Sequence, residues 1–298
     1  MEYQTLGKST LTISRIGFGC MSLKGSDQEN GELINKAVET GINFFDTADL
    51  YDHGVNEETV GKWLKPIRQN VIIATKAGNQ WRKDGSGWDW NPRKEYILAC
   101  ADESLRRLKT DYIDLYQLHG GTMNDPIDET IEAFEVLKQQ GKIRFYGISS
   151  IRPNVIREYI KRSGIVSVMM QYSLLDRRPE ETCFDLLREN NIGVLTRGTV
   201  AQGLLIDKPA KDYLGHNTSE VSKAADFLKS LSDHSRNQTQ IAIRFALQNP
   251  AVTSAIIGVR NVVHLEDAVK ATTGPLLSNE EMKKLKEIIS PNYYADHR

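Results

Sequence analysis

The sequence predicts a (β/α)8 TIM barrel with an N-terminal β-hairpin and long loops at the carboxyl rim of its strands, one domain spanning residues 1–298. Two observations point there. Eight short β-rich runs alternate with longer segments of helical period, the pattern of parallel strands joined by crossover helices. The chain has 298 residues, and single barrels commonly reach roughly 250. An open doubly wound sheet would give similar periodicity, and closure into a barrel is the simplest arrangement of eight such units.

The segment from Tyr3 to Ile13 has two short β-like runs around Gly7 and Lys8, which reads as a hairpin plugging the bottom of the barrel. The strand candidates follow as IGFGC (16–20), INFFDTA (42–48), VIIATK (71–76), YIDLYQL (112–118), IRFYGIS (143–149), VSVMMQY (166–172), IGVLT (192–196) and TSAIIG (253–258). Asn91 and Pro92 make a cap and first-turn signal for a helix with an apolar stripe of Ile97, Ala101, Leu105 and Leu108. Ile127, Ile131, Phe134 and Leu137 repeat that stripe until Gly141 stops it. Three segments exceed what simple connections need: Ala77 to Asn91, Gly120 to Pro126, and Gly198 to Asn237. The first holds Trp81, Trp88 and Trp90, either packed on the scaffold or forming an aromatic wall for a ligand. The third holds an extra helix through Ala224, Phe227, Leu228 and Leu231. Ser278 and Glu281 form a capping box for a late helix. The stretch Pro291 to Arg298 is then a free tail or a contributor to the pocket rim.

A net charge of -1 with mixed signs leaves no electrostatic footprint for nucleic acid or an anionic membrane surface. No apolar run approaches the roughly 20 residues that span a bilayer, and the N-terminus lacks a basic stretch followed by an apolar block. The expectation is a cytoplasmic protein with no nucleic-acid or membrane partner. Cys20, Cys100 and Cys183 have neither disulfide-framework nor zinc-site spacing. Oligomeric state stays open, with a monomer as the default.

Four polar residues close, or directly follow, strand candidates: Asp46 and Tyr51 in NFFDTADLY, Lys76 in VIIATK, and His119 in IDLYQLH. In a barrel the carboxyl ends of the strands share one rim, where ligands bind. An acid, a phenol, an amine and an imidazole together suit proton transfer to a carbonyl. Taken singly, the Asp also reads as a turn former, the Tyr as a rim aromatic and the His as a satisfied rim histidine. Lys76 is the least ordinary, since a lysine ending an apolar strand points into the barrel mouth.

The motifs DTADLYDHGVNEETVG, IIATKAG, DYIDLYQLH, GISS, MMQYSLLDR and AQGLL occur in this order along almost the whole chain. Together they resemble the aldo-keto reductase family. That resemblance implies an NAD(P)H-dependent carbonyl reductase with a catalytic tetrad of Asp46, Tyr51, Lys76 and His119. Tyr51 is then the proton donor: a free phenol has a pKa of about 10, and an adjacent Lys76 ammonium favours the phenolate left behind. Asp46 pairs with Lys76, and a neutral His119 orients the substrate oxygen.

No GxGxxG follows the first strand, so a Rossmann nucleotide site is not indicated. By resemblance the cofactor lies across the barrel mouth, its nicotinamide amide contacted by Ser149, Ser150 and Gln171. Ser150 stands where many relatives have Asn. Arg197 stands where many place a Tyr that stacks on nicotinamide, and a planar guanidinium can also stack. Gln202, Gly203 and Leu204 line the pyrophosphate path by analogy. Gly258, Arg260 and the following helix start offer phosphate contacts, with His264 where many relatives carry Arg. NADPH is therefore expected over NADH. Trp81, Trp88 and Met123 offer apolar walls for a small-molecule carbonyl substrate, an aldehyde or activated ketone. Two other classes compete: a nucleotide-binding sensor or accessory module with little turnover, and a barrel isomerase or lyase using Lys76 as a Schiff-base amine. No metal site is expected.

Overall fold

The computed structural model describes residues 1–298. Strands β1 (Tyr3–Thr5) and β2 (Thr12–Ser14) form the antiparallel hairpin. Eight parallel strands then close a barrel: β3 (Ile16–Gly19), β4 (Phe44–Asp46), β5 (Ile72–Ala77), β8 (Ile113–Leu118), β9 (Ile143–Ser149), β10 (Ser167–Gln171), β11 (Gly193–Arg197) and β12 (Val252–Gly258), which returns to β3. Strands β6 (Asn79–Trp81) and β7 (Trp88–Trp90) make a separate hairpin on the rim. Every strand candidate becomes one barrel strand.

The hairpin plugs the barrel because its apolar residues have no other face to bury. Leu6, Leu11 and Ile13 pack with Phe44, Ala74, Leu115, Val166, Met169, Leu195 and Ile256 in one buried cluster inside the barrel. Gly7 lets the chain come this close: its φ is +53°, and a Cβ there would stand 2.4 Å from the Val166 carbonyl oxygen. Only a residue without a side chain fits that approach and that conformation.

Outside the strands the helices α1 (Asp27–Glu39), α2 (Val55–Leu64), α3 (Lys94–Leu108), α4 (Ile127–Gln139), α5 (Pro153–Arg162), α6 (Cys183–Glu189), α7 (Thr218–Ser230), α8 (Gln238–Leu247), α9 (Val262–Thr273) and α10 (Asn279–Ile288) cover the sheet. They form the second, larger apolar layer, in which Ile97, Ala101 and Leu108 of α3 and Ile127, Phe134 and Leu137 of α4 are all buried. Gly141 ends the α4 turn with φ +71°.

The start of α3 differs from its sequence signal. The helix begins at Lys94, and Asn91 instead accepts a hydrogen bond from the Arg93 N–H at 3.2 Å in the preceding turn. The first helical N–H is satisfied from α4, where Glu129 Oε1 accepts from Lys94 N at 2.9 Å. A tertiary carboxylate has taken the cap's place.

The third long segment contains a 3-10 turn at Ala201–Gly203, a tight turn bridging Tyr213 and His216, and then α7, the extra helix. The capping box of α10 is present, with Ser278 Oγ accepting from Glu281 N at 3.2 Å. The last residues are docked rather than free. Tyr294 is 5% exposed, His297 O accepts from Asn154 N at 2.9 Å, and Arg298 pairs with Glu181 at 2.9 Å. These contacts fix the tail over the segments that leave β9 and β10. No helix is long and apolar enough to cross a membrane.

Candidate active site

The barrel brings the four residues of the tetrad to one rim. Asp46 ends β4, Lys76 lies near the end of β5, and His119 follows β8. Tyr51 opens a short 3-10 turn after β4. The chain can present Tyr51 there because Asp52, His53 and Gly54 all adopt positive φ, at 48°, 54° and 89°. Two of these are not glycine, and non-glycine residues in the left-handed region concentrate at functional sites.

Lys76 is the centre of the arrangement. It is fully buried, and its Nζ donates to Asp46 Oδ2 at 2.7 Å, to the Thr47 carbonyl at 2.7 Å and to the Tyr51 hydroxyl at 3.3 Å. An ammonium has three N–H donors, so all three are committed. Burial works against the charge, but the Asp46 carboxylate and the Tyr51 hydroxyl outweigh it and hold the amine above its ordinary pKa. Gln117 Nε2 donates to the other carboxylate oxygen, Asp46 Oδ1, at 3.4 Å.

The Tyr51 hydroxyl accepts from Lys76, and a hydroxyl that accepts still has its own proton to donate. The His119 ring stands edge-on to Tyr51, with centroids 6.0 Å apart. Burial, with Lys76 and Arg197 nearby, pushes the imidazole down to about 3, so it is neutral near pH 7. Its Nδ1 is buried without a hydrogen-bond partner in the protein. A buried polar atom in that state takes its partner from outside the chain, a water or a ligand.

Behind the tetrad lies a second buried layer. Thr47 Oγ1 donates to Asn56 Oδ1 at 2.7 Å, and Asn56 Nδ2 donates to Cys20 O at 2.9 Å. Glu57 accepts from Thr75 Oγ1 at 2.6 Å and from Arg107 Nε at 2.7 Å. Asp49 lies between Asp46 and Tyr51 in sequence, with Oδ1 unpartnered; burial and nearby Glu57 push its carboxyl up to about 7.

The residues expected around a cofactor occupy the rim beyond His119. Ser149 ends β9, and the neighbouring Ser150 is buried with its Oγ accepting from Arg152 N at 3.2 Å. Gln171 ends β10 and Arg197 ends β11, directly opposite in register. Arg197 Nη1 donates to Gln171 Oε1 at 3.0 Å, so this guanidinium is tied to the amide rather than to a surface carboxylate. Gln202 and Gly203 sit in the 3-10 turn with φ of 60° and 93°. Leu204 departs from expectation: it is 2% exposed and belongs to the apolar layer, because that turn directs its side chain inward. Gly258 ends β12, while Arg260 and His264 are exposed at the start of α9, where Asn261 Oδ1 accepts from His264 N at 2.9 Å.

The three tryptophans of the first long loop have separate surroundings. Trp81 stacks on His53, centroids 3.8 Å apart and planes at 24°, which places it beside the Tyr51 turn. Trp90 closes on Gly78 and Gly120 and donates from Nε1 to Asp125 at 2.9 Å, pinning the hairpin to the next loop. Trp88 and Met123 are exposed, at 46% and 47%. Nothing in the sequence singled out His53, Gln117 or Thr47. The only signal was proximity to Tyr51, His119 and Asp46.

The family model described as Aldo/keto reductase family matches residues 15–290. The chain is 48% identical over 307 residues to the uncharacterized oxidoreductase YqkF of Bacillus subtilis (strain 168), covering 100% of both chains. It is 34% identical over 234 residues to an NADH-specific methylglyoxal reductase of Escherichia coli (strain K12), covering 72% of each. Among solved structures, aldo-keto reductase AKR11C1 from Bacillus halodurans in its holo form superposes with a TM-score of 0.94. That match has 47% identity and covers 100% of this chain and 99% of the other.

Proposed function

From the premise that this chain belongs to the aldo/keto reductase family, we propose that residues 1–298 act as one NADPH-dependent reductase of aldehydes or activated ketones, with Tyr51 as proton donor. The observation that carries this is the Lys76 amine. Buried, charged and donating to the Tyr51 hydroxyl, it stabilises the phenolate that remains after proton transfer.

The donor set at the rim fits a nicotinamide dinucleotide. His119 Nδ1 is buried and unpaired, and Gln171, though tied to Arg197, keeps amide valences to spare. Arg260 and the N-terminus of α9 suit phosphate. Ser149, Ser150 and Gln171 would hold the carboxamide, Arg197 would flank the ring, and Gln202, Gly203 and Gly258 offer backbone to the pyrophosphate. Arg260 and His264 would meet the phosphate that separates NADPH from NADH. When bound, the dihydronicotinamide supplies hydride to the carbonyl carbon. Tyr51 gives its proton to the carbonyl oxygen, and Lys76 balances the charge left on the phenol. Asp46 keeps the amine charged and in place. The neutral His119 fixes the carbonyl's direction without offering a competing acidic proton. Trp81 and His53 form a stacked aromatic wall beside the Tyr51 turn, suited to an aldehyde carrying a flat substituent.

The same geometry disfavours a Schiff-base role for Lys76, since a nucleophilic amine must be neutral and have a free lone pair, whereas all three of its N–H groups are engaged. Titration of the protein with NADPH and NADH, followed by loss of reduced-nicotinamide absorbance over a panel of aromatic, aliphatic and dicarbonyl aldehydes, tests the proposal. Turnover with tighter NADPH binding is expected. NADPH binding with no turnover on any member of the panel would favour a sensor role, and stronger NADH binding would overturn the cofactor assignment.

A further inference from the structure

Gln171 is held at both ends of its amide. Arg197 Nη1 donates to Oε1 at 3.0 Å, and Nε2 donates to the Tyr213 hydroxyl at 2.8 Å. A primary amide has two acceptor lone pairs and two donor hydrogens, so one of each stays available after these bonds. One lone pair beside one N–H is the complement of another primary carboxamide. The two bonds also decide which end of the amide is oxygen, since only an acceptor can answer Arg197.

Tyr213 can hold its end firmly because its turn is braced from three directions. Tyr213 N donates to His216 O at 2.9 Å and His216 N to Tyr213 O at 3.0 Å, which closes the turn on itself. Asp212 Oδ1 accepts from both the N–H and the hydroxyl of Thr218 at 2.8 Å, tying the turn to the start of α7. Asn292, from the C-terminal segment, donates to Leu214 O at 3.2 Å and accepts from Arg177 N at 2.8 Å. The tail thereby joins the Tyr213 turn to the segment that leaves β10, the strand carrying Gln171.

We propose that Tyr213 is a positioning residue for the nicotinamide carboxamide, fixing the orientation of Gln171, with Asn292 bracing the turn that carries it. This rests on the reductase function above, in which Gln171 meets the carboxamide. Tyr213 itself touches Gln171 and need not touch the cofactor. Its distance of 42 residues from Gln171 in sequence placed it outside any local motif.

The test is Tyr213→Phe, which removes one oxygen and keeps the ring. A single neutral hydrogen bond corresponds to about a three- to ten-fold change in affinity, so Kd for NADPH should rise by that factor. The loss should fall on KM for NADPH rather than on kcat. Reduced nicotinamide mononucleotide should lose affinity in parallel, while adenosine 2′,5′-bisphosphate, which lacks the carboxamide, should bind as before. In a Gln171→Ala background Tyr213→Phe should add nothing, and Asn292→Ala should weaken NADPH in the same direction. Unchanged NADPH affinity in Tyr213→Phe, or an equal loss for both halves of the cofactor with a lower thermal midpoint, overturns the proposal. Wild-type protein that binds neither NADPH nor NADH overturns the reductase function and this proposal together, whereas normal wild-type turnover with an unaffected Tyr213→Phe overturns this one alone.

Discussion

Replacing Lys76 by methionine should destabilise the protein far more than the loss of a surface charge would. Lys76 is 0% exposed and Asp46 4%, and their charged atoms lie 2.7 Å apart. Methionine keeps much of the apolar stem but strips Asp46 Oδ2 and the Thr47 carbonyl of their donor. Gln117, at 3.4 Å from the other carboxylate oxygen, is the one remaining side-chain contact to Asp46 and is too long to compensate. Removing one member of a buried ion pair costs about 3–5 kcal/mol, because an uncompensated charge stays behind. Urea unfolding at pH 7, followed by circular dichroism, measures it. Adding Asp46→Asn to Lys76→Met removes that charge, and the double variant should recover most of the loss. A Lys76→Met variant within about 1 kcal/mol of wild type, or a double variant whose loss equals the sum of the singles, would refute the buried-pair description.

Three further outcomes follow, two from groups around the same rim and one from the hairpin that plugs the bottom of the barrel. His119 has its folded pKa pushed down to about 3 from 6.5, so the unfolded chain takes up a proton first as pH falls. Stability should therefore decline from about pH 6.5 toward pH 3, and His119→Asn should flatten that part of the unfolding profile; an unaltered slope would contradict a buried neutral imidazole. Asp49 behaves oppositely, since its folded pKa, raised to about 7 from 3.8, lets the folded state keep a proton that the unfolded state has released. Its stabilisation is present in acid and lost as pH rises toward 7, so Asp49→Asn should gain on wild type between pH 4 and pH 8, by at most about 4 kcal/mol. A constant difference between the two proteins across that range would count against it. Gly7→Ala should cost at least about 2 kcal/mol in urea unfolding, because a Cβ at φ +53° would meet the Val166 carbonyl oxygen at 2.4 Å; a neutral substitution would mean that the hairpin does not seal the barrel.

The parts of this protein that were legible in its sequence are those written in short stretches. Most barrel strands are short, largely apolar runs buried on both faces, so VIIATK and IDLYQLH announced both a strand and the polar side chain at its end. The α10 capping box is local for the same reason. What escaped depends on chains meeting across long separations. Glu129 of α4 supplies the start of α3, which no reading of Asn91 and Pro92 could foresee. Trp81, Trp88 and Trp90 look alike in sequence, yet one stacks on His53, one is exposed and one seals Gly78 and Gly120. The inward turn of Leu204 and the Tyr213 contact to Gln171 belong to a long connection whose path is set by its packing rather than by its own period.

The central claim is that Tyr51 delivers the proton while Lys76 stabilises what remains. Single-turnover oxidation of bound NADPH by an aldehyde, compared in wild type and Tyr51→Phe with cofactor affinity measured separately, tests it most directly. A fall of about 10²-fold or more in the rate, with NADPH binding retained, is the predicted result. A Tyr51→Phe rate within about threefold of wild type, roughly 0.7 kcal/mol in barrier height, would assign the proton to another group and remove the claim.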